Sequence, residues 1–376
     1  MAELGYVHVE GKALRQGYTT GSCAAGAAKA AAYLIVDRVL PESVDIALPT
    51  GGALTLPVQA GVTVRGGAKA CIVKDGGDDP DSTHGLEVWC EVLPCLESSA
   101  VTFCAGTGVG TVTKPGLQLP VGEPAINPIP RQMIEQALKE VLPAGWGALV
   151  TLSVPGGEKA ARRTLNAKLG VQGGISILGT SGIVQPMSEE AFKASLVPQL
   201  VQAQTLGYTT MILVPGRIGA KHAAALYAVP EEAVAEMSNF VGYMLMEAVA
   251  NGITEVILLG HIGKLIKVAA GIFHTHNRVA DARLETLAAY CALEGMQASD
   301  VRTIMANVTI EGALTTIDAL GLQQVYQQLA ERASLRAGEH TYGELRVGTV
   351  LLNMAGEVIG QDQAAQQIAA ARGWVK

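Results

Sequence analysis

This sequence has few aromatic and few basic residues, and no long apolar run. Aromatic residues make up only 4% of the 376-residue chain, although 49% of it is hydrophobic. No stretch reaches the roughly 18 uninterrupted apolar residues of a membrane-spanning helix, and the N-terminus lacks a basic-then-apolar targeting pattern. The formal net charge is -7, whereas nucleic-acid-binding proteins are more often basic. We therefore expect a soluble, cytoplasmic protein that binds neither membrane nor nucleic acid.

The cysteines also lack the spacing of a zinc site. No two of them form a CxxC pair, and no histidine lies beside them at zinc-finger spacing. We therefore expect no disulfide and no structural metal, and the thiols are predicted to be buried and inert. The six cysteines are Cys23, Cys71, Cys90, Cys95, Cys104 and Cys291.

The stretch from 147 to 187 contains the clearest sign of a ligand-binding fold. It contains two apolar runs, Ala148–Val154 and Gly174–Leu178, and each run ends in a glycine-rich turn. Strands that end in such turns are typical of the ligand-binding edge of an open parallel sheet. The alternative is a tight turn without a ligand. The predicted cofactor-binding residues are Gly156, Gly157, Glu158, Gly179, Thr180 and Gly182.

An alanine-rich helix is predicted from Ala24 to Val36, directly after several hydroxyl residues. Thr19, Thr20 or Ser22 can cap this helix through a side-chain oxygen. Hydroxyls and free N–H groups at the positive end of a helix can also bind a polar or anionic ligand. An ordinary cap and a substrate-binding site therefore both remain open for these three residues.

Between residues 44 and 122 the pattern changes to short β-like runs separated by Gly, Pro and Asp. These runs predict a mixed or antiparallel sheet. Within them, loop 74–85 concentrates acidic residues but lacks calcium-loop spacing, so it is either a cation site or a solvated turn. We expect Asp78, Asp79 and His84 to shape the entrance of a substrate site without a metal.

A glycine-rich segment at 104–116 has the GxGxG pattern of a nucleotide-binding turn. β-Branched residues and Pro115 follow it where such a fold requires a helix. We therefore predict a hairpin or a ligand-lining loop here.

Strands and helices alternate in the rest of the chain. This order predicts a doubly wound, mainly parallel α/β domain with extra C-terminal helices over 146–376. An N-terminal mixed, β-rich α+β domain precedes it over 1–145. The boundary is predicted at Pro143–Gly147.

Candidate catalytic residues follow the strands of the second predicted domain. Histidine is the natural proton carrier near neutral pH, so His261, His274 and His276 are candidates for the base. His261 is preferred because it directly follows a predicted strand. Lys264 and Arg278 lie close by in sequence and are predicted to bind carboxylates of the substrate. A metal site would need a third ligand that the sequence does not identify.

Six motifs, in this order, resemble the CbiD family over about residues 12 to 360. The resemblance implies methyl transfer from S-adenosylmethionine to C1 of cobalt-precorrin-5B, giving cobalt-precorrin-6A in anaerobic cobalamin biosynthesis. The cobalt would then belong to the tetrapyrrole substrate. Ser22 stands where Thr is usual in the family. The motifs are LRQGYTTGSCAAGAAKAA, KDGGDDPDSTHG, GTGVGTVTKPGL, GEPAINPIPRQMI, VPGGEKAARRTLNAKLGVQGGISILGTSGIVQPMS and GHIGKLIKVAAGIFHTHNRVADAR.

Two other functions remain as alternatives. A nicotinamide-dependent oxidoreductase is disfavoured because GxGxxG is missing between a strand and a helix. The other alternative is a non-catalytic module that binds a small molecule. The sequence leaves open which domain holds the cofactor, whether the chain forms a homo-oligomer, and whether other enzymes of the pathway hand over the substrate.

Overall fold

The computed structural model describes residues 4–376, which form two compact units. The first unit ends at Glu189, and the second is Glu190–Lys376. The predicted boundary at residue 145 therefore has to be corrected. The strand that follows it, Gly147–Ser153, pairs on both sides within the first unit's largest sheet. The proline at 143 belongs to a turn, in which Trp146 N–H donates to Pro143 O, and not to a linker between domains.

The first unit is rich in short strands. Its three helices are α1 (Thr20–Val36), α2 (Pro128–Lys139) and α3 (Gly157–Ala161). Its strands are β1 (Tyr6–Val9), β2 (Lys12–Arg15), β3 (Gly17–Tyr18), β4 (Ser43–Ala47), β5 (Ala53–Pro57), β6 (Ala60–Val64), β7 (Gly67–Val73), β8 (Glu87–Cys95), β9 (Val101–Ala105), β10 (Gly108–Val109), β11 (Thr111–Val112), β12 (Gly147–Ser153), β13 (Val171–Gln172), β14 (Gly174–Ile175) and β15 (Ile183–Val184).

The largest sheet of the first unit is mixed, with the strand order β6-β7-β8-β12-β9. Only the β12–β9 pair is parallel, and the other neighbours are antiparallel. The predicted mixed, β-rich character of this part is confirmed. The remaining strands form two-stranded pairs, β1–β2, β4–β5, β3–β15, β10–β14 and β11–β13.

Helix α1 fills the core of the first unit because its small residues let it approach the sheet closely. Residues 20–32 are all buried, and the helix packs against β7, β8 and α2. A Cβ at Gly26 would lie only 2.8 Å from the Leu56 side chain. The opposite face of the sheet is more exposed, with Leu149 of β12 and Cys104 of β9 open to solvent.

Two predicted elements near the glycine turns are shorter than expected. The run Gly174–Leu178 contributes only β14, which pairs with β10 and does not join the five-stranded sheet. The helix expected from Glu158 to Leu165 is the five-residue α3. The two predicted glycine turns are therefore not neighbouring strand ends of one parallel sheet, because backbone pairing with distant segments determines where each run lies.

The second unit is a doubly wound sheet with helices on both faces, which confirms the predicted fold class. The strand order is β17-β16-β18-β19-β20, and only β20 is antiparallel. Its strands are β16 (Thr210–Val214), β17 (Val234–Glu236), β18 (Glu255–His261), β19 (Arg346–Leu352) and β20 (Val358–Gln361). Its helices are α4 (Glu189–Leu196), α5 (Pro198–Thr205), α6 (Arg217–Leu226), α7 (Val241–Ala250), α8 (Ile262–Ala269), α9 (Arg283–Leu293), α10 (Ala298–Met305), α11 (Ile310–Ala319), α12 (Gln324–His340) and α13 (Gln363–Ala371).

The central strand β18 shows that both faces of this sheet are covered. Its consecutive residues Ile257 and Leu258 point to opposite faces, and both are fully buried. A continuous apolar run of this kind is typical of a parallel sheet between two helical layers. Within residues 4–376, no helix combines the length and apolar character needed to cross a membrane.

Candidate active site

Two glycine turns lie side by side at the carboxyl ends of the parallel strands β9 and β12. Val154 N–H donates to Thr107 O at 2.7 Å, which joins the two turns through their backbones. Gly157 packs so tightly that a Cβ there would collide with the carbonyl oxygen of Gly108. The predicted turn at 155–157 is thus beside 106–108, and this strand-end position is where open sheets bind ligands.

A cleft of about 250 Å³ opens beside these turns on the exposed face of the sheet. The strand register places Lys69 and Thr151 on either side of Glu91, and Ser153 opposite Trp89. This arrangement brings a cation, a carboxylate, an indole and two hydroxyls to one surface. The cleft is lined by Lys69, Trp89, Glu91, Thr107, Thr151, Ser153 and Pro155.

The remaining predicted residues of this turn lie at its surface. Gly156 is exposed and caps α3 with a φ of 85°, a left-handed conformation that favours glycine. Glu158 is exposed in the first turn of α3. Gly157 is buried. The close approach at Gly157 is therefore between two backbone segments of the protein, and not between backbone and ligand as the sequence suggested.

The second predicted glycine turn packs against the N-terminus of α1. Thr20 Oγ1 donates to Leu178 O at 3.1 Å and accepts from Leu178 N–H at 3.0 Å. Ser22 Oγ donates to Gly182 O at 2.6 Å. The predicted helix cap is confirmed, because Thr19 Oγ1 accepts from Ser22 N–H at 3.1 Å.

These contacts show what the three hydroxyls do within the protein, and their predicted role in binding substrate stays a prediction. Thr19, Thr20 and Ser22 are buried, with Ser22 completely so, and each hydroxyl already bonds within the protein. They hold the 178–182 turn in place. Within that turn Thr180 is exposed, and a Cβ at Gly179 would collide with Thr19.

The acidic loop is organised around two cations. The Arg15 guanidinium forms two hydrogen bonds with Asp75, at 2.6 and 2.8 Å, and holds the pKa of that carboxyl below its usual value. The fully buried Lys74 binds Asp81 at 2.7 Å. Burial opposes ionisation of Asp81, but Lys74 and hydrogen bonds from Thr83 outweigh it and lower its pKa.

The three candidates of this loop mostly accept hydrogen bonds from backbone. Asp78 and Asp79 accept from N–H groups of other segments at 2.6 and 2.9 Å. His84 Nδ1 accepts from Gly76 N–H at 3.1 Å, and its side chain is 54% exposed. Among residues 4–376, no three His, Cys, Asp or Glu side chains are grouped to hold a metal ion. A role at the substrate entrance stays a prediction.

His261 caps helix α8 at the carboxyl end of β18, the edge where the sequence placed it. Its Nδ1 accepts from Gly263 N–H at 3.0 Å. This assigns the ring proton of neutral His261 to Nε2, which lies 2.7 Å from Glu311 Oε1 and donates to it. Both ring nitrogens are therefore occupied, and the imidazole has no lone pair directed at a substrate.

Glu311 is a functional candidate that the sequence did not suggest. Its Oε1 also accepts from Met354 N–H at 3.1 Å, so two donors fix the carboxylate. Its Oε2 has no hydrogen-bond partner among the residues that the structure describes. Of the polar side-chain atoms of the His261–Glu311 pair, Glu311 Oε2 is therefore the one open to a further hydrogen bond. No local pattern reveals this pair, because α11 lies far from β18 in sequence.

Two lysines of α8 have different surroundings. Lys264 Nζ donates to Asn239 Oδ1 at 2.7 Å, and burial lowers its pKa. Lys267 is fully buried and donates to Thr275 O, Asn277 Oδ1 and Ala280 O at 3.2, 2.6 and 2.9 Å. Lys264 is thus the lysine placed to meet a ligand, whereas Lys267 stabilises the loop that follows α8.

That loop carries the two other histidine candidates. His274 pairs through its backbone with Phe240, and their ring centres are 4.9 Å apart. His276 is exposed, its Nδ1 accepts from the N–H of the exposed Arg278 at 3.2 Å, and its ring centre is 6.4 Å from that of His274. The structure thus brings these three predicted residues together in an irregular loop, as an extended segment allows.

Comparison with known proteins identifies the same family over most of the chain. A family model described as CbiD matches residues 7–186, and one described as CbiD, C-terminal domain, matches residues 274–363. A crystal structure titled cobalamin biosynthesis protein (cbiD) from Archaeoglobus fulgidus is 30% identical and covers 70% of this chain and 83% of its own, with a TM-score of 0.39.

Three curated relatives carry the name cobalt-precorrin-5B C(1)-methyltransferase. The protein of Desulfitobacterium hafniense is 51% identical over 94% of this chain and 91% of its own length. That of Moorella thermoacetica is 48% identical over 94% and 97%. That of Salmonella typhimurium is 43% identical over 98% and 99%.

Proposed function

This chain belongs to the CbiD family, and on that premise we propose that it transfers a methyl group to C1 of cobalt-precorrin-5B in cobalamin biosynthesis. One observation carries the proposal. Relatives named for this activity are 48–51% identical to the chain along nearly the whole length of both proteins. The reaction requires a methyl donor and a tetrapyrrole substrate, and the cobalt belongs to that substrate.

S-adenosylmethionine is the proposed donor. When bound, it supplies a methyl group attached to a positively charged sulfur. The residues at the ends of β9 and β12 fit such a molecule, because two glycine turns adjoin a cleft that offers hydroxyls and a carboxylate. In this proposal the turn that contains Gly156 and Glu158 adjoins the donor, and Gly157 holds that turn against Gly108. The main work of the protein there is to orient the donor.

The substrate carries several carboxylates, and cationic side chains are the groups that recognise them. In the second unit we propose Lys264 and Arg278 for this role. Lys264 is held by Asn239, so its ammonium is positioned in advance. In the first unit, the exposed Arg162 and Arg163 follow the glycine turn of β12 and are further candidates.

Methylation at C1 leaves a cationic adduct that must lose a proton from another position of the macrocycle, and we propose the His261–Glu311 pair as the acceptor of that proton. Glu311 Oε2 accepts the proton, while His261 Nε2–H and Met354 N–H hold the other carboxylate oxygen. His261 thereby orients the base and stabilises its charge. General bases of this kind contribute typically about a hundred- to ten-thousandfold in rate.

The proposal is tested by incubating the purified protein with cobalt-precorrin-5B and S-adenosylmethionine labelled in its methyl group. We expect one labelled methyl group per product molecule, located at C1 by NMR. Thermal unfolding with S-adenosylhomocysteine, NADH and a corrinoid in parallel is the control, since a ligand stabilises the protein that binds it. An unlabelled product, or stabilisation by NADH alone, contradicts the proposal.

A further inference from the structure

We infer that the cleft on the exposed face of the first unit's sheet binds the adenosine part of the methyl donor, with Trp89 against the adenine and Glu91 at the ribose. The inference rests on the proposed function, since it takes S-adenosylmethionine as the donor. It adds an assignment that the glycine turns alone do not give, because it names the side chains that recognise the nucleoside.

The polar groups of the cleft converge without partners. The carboxylate of Glu91 and the hydroxyls of Thr107, Thr151 and Ser153 make no hydrogen bond or ion pair with any other residue in the described part of the chain. The hydroxyls at the start of α1, in the same unit, are all satisfied by the protein. In small-molecule sites a few polar groups converge on a concave surface beside aromatic or apolar side chains, as these groups do beside Trp89 and Pro155.

Trp89 offers a flat surface whose orientation is already fixed. Its Nε1–H donates to Glu87 Oε2 at 2.8 Å, which restrains the indole against the sheet. A restrained aromatic ring loses little side-chain entropy when a base stacks on it. The neighbouring residues of β8, Val88 and Cys90, are fully buried on the other face. Trp89 is therefore not needed for the core of the unit.

The charge beside Trp89 determines which part of the donor lies there. Lys69 Nζ is 5.3 Å from the centre of the indole ring. Both the neutral adenine and the positive sulfonium of the donor could contact an indole face. A second cation beside the Lys69 ammonium is repelled, so adenine is the part that fits. Lys69 is held by this cation–π contact alone, which is weak at an exposed site, so adenine can replace the ammonium on the ring face. The ammonium then stays at the side of the cleft, where it still repels a second cation.

Glu91 matches the ribose. A carboxylate accepts hydrogen bonds from vicinal hydroxyls, the way acidic residues bind ribose in dinucleotide-binding folds. Glu91 is two residues after Trp89 on β8, so both side chains lie on the same face of the sheet. Lys69 and Thr151 flank Glu91 on the neighbouring strands. Nucleobase and ribose contacts therefore fall on adjacent rows of one surface.

The size of the cleft fits part of the donor and not all of it. Its volume of about 250 Å³ is below the roughly 300–1,000 Å³ of pockets that enclose whole small ligands. Thr107 and Pro155 line the cleft and also belong to the two glycine turns. The adenosine part thus occupies the cleft, and the amino-acid part extends toward the turns.

The test is calorimetric binding of S-adenosylhomocysteine to the full-length protein. We expect Trp89→Leu to weaken binding about ten- to a hundredfold, the range for loss of one stacked base. Glu91→Gln should weaken it about tenfold, since a carboxylate accepts hydrogen bonds more strongly than an amide. Thr102→Val is the matched control, an exposed position of β9 on the same face but outside the cleft, and should stay within twofold of the unchanged protein.

A second readout is independent of these affinities. The chain has three tryptophans, and S-adenosylhomocysteine should quench the emission of Trp89 and shield it from acrylamide. This signal should disappear in Trp89→Phe. If Trp89→Leu does not fold, the quenching of Trp89 in the unchanged protein and the affinity of Glu91→Gln test the cleft assignment instead. Free adenosine should compete with S-adenosylhomocysteine, and free methionine should not.

The possible outcomes distinguish a wrong assignment of the cleft from a wrong proposed function. If the protein binds S-adenosylhomocysteine and transfers the methyl group, but folded Trp89→Leu binds equally well and no quenching occurs, the cleft assignment is overturned and the activity stands. If the unchanged protein binds no S-adenosylhomocysteine and transfers no methyl group, the proposed donor is wrong and the cleft assignment falls with it.

Discussion

The carboxyl edge of the first unit's sheet and that of the second unit's sheet present polar groups in opposite states. Beside β9 and β12, Trp89 lines a cleft in which the Glu91 carboxylate and three hydroxyls have no partner within residues 4–376. At β18, His261 is bonded to Glu311, and Lys264 is bonded to Asn239. The polar side chains at the first edge are mostly open to a ligand, whereas those at the second edge are mostly bonded to other side chains of the protein.

This difference indicates two kinds of task. Polar groups that make no bond within the protein can exchange water for a ligand, and each then contributes a modest net free energy to binding. Groups that the protein already holds do not need to reorganise during a reaction, so they are suited to stabilise charge or take up a proton. We therefore assign donor binding to the first edge and proton transfer to the second.

The largest effect is expected for Glu311→Gln, which keeps the shape of the side chain but removes the proton acceptor. Turnover should fall about a hundred- to ten-thousandfold, while affinity for S-adenosylhomocysteine stays unchanged. His261→Asn is the companion variant, because asparagine also caps helices and preserves the contact with Gly263. It should reduce turnover less than Glu311→Gln. If Glu311→Gln transfers the methyl group at the unchanged rate in a single-turnover assay, Glu311 is not the proton acceptor.

The second prediction tests whether the second edge is held rigidly from within. Lys267→Met removes a fully buried charged donor and leaves three oxygen acceptors without it. The free energy of unfolding should fall by about 3 kcal/mol. Urea unfolding is followed through Trp374, which is buried in the core of this unit, with the other tryptophans replaced by Phe. Lys221→Met, an exposed change on α6, should have little effect. Equal stability of the two variants would contradict the structural role of Lys267.

The third prediction concerns the contact between the glycine turns. Gly157→Val forces side-chain atoms into the backbone of Gly108 and should destabilise the first unit by about 1–3 kcal/mol. S-adenosylhomocysteine should also bind more weakly, because the turns are displaced. Urea unfolding is followed through Trp146, which packs against this unit's core. The control is Thr102→Val, an exposed position of β9 outside the cleft. Weaker binding with unchanged stability would mean that the glycine makes room for the ligand itself.

The smallest effect is expected for the acidic loop. Because Arg15 lowers the pKa of Asp75 in the folded state, the pair stabilises the protein above the unfolded-state pKa of about 3.9. That contribution is lost as the pH falls from there through the lower folded-state pKa. Asp75→Asn should therefore lose less stability than the unchanged protein between pH 6 and pH 3, by at most about 1 kcal/mol for a partly exposed pair. Identical pH dependence, measured by urea unfolding, would show that the pair contributes nothing.

Local patterns in the sequence were enough for much of the fold. Short β-like runs separated by Gly, Pro and Asp predicted the strands of the first unit, and the order of strands and helices predicted the doubly wound second unit. The cap at Thr19 also follows from its neighbours alone. The domain boundary and the length of the strand at Gly174 could not be predicted in this way, because they depend on which distant segments pair with β12 and β14.

In the candidate site, too, local sequence predicted some residues, and contacts between distant segments determined the rest. Glycines after strands indicated Gly157, and a histidine after a strand indicated His261. Their surroundings were missed, because Glu311 meets His261 only through the packing of α11, and Trp89 and Glu91 meet Thr151 and Ser153 only through strand register. Outward-facing Trp and Glu at alternate positions of a β run were the one available signal, and without the register they look like ordinary surface residues.

Hydrogen exchange with and without S-adenosylhomocysteine tests the central claim most directly. If the donor binds at the ends of β9 and β12, the ligand should slow exchange of the amides in 105–109 and 151–158. The amides of 261–266, which are already held by the His261 cap and helix α8, should change little. Protection confined to 261–266, with none in the two glycine turns, would contradict the assignment of donor binding to the first unit.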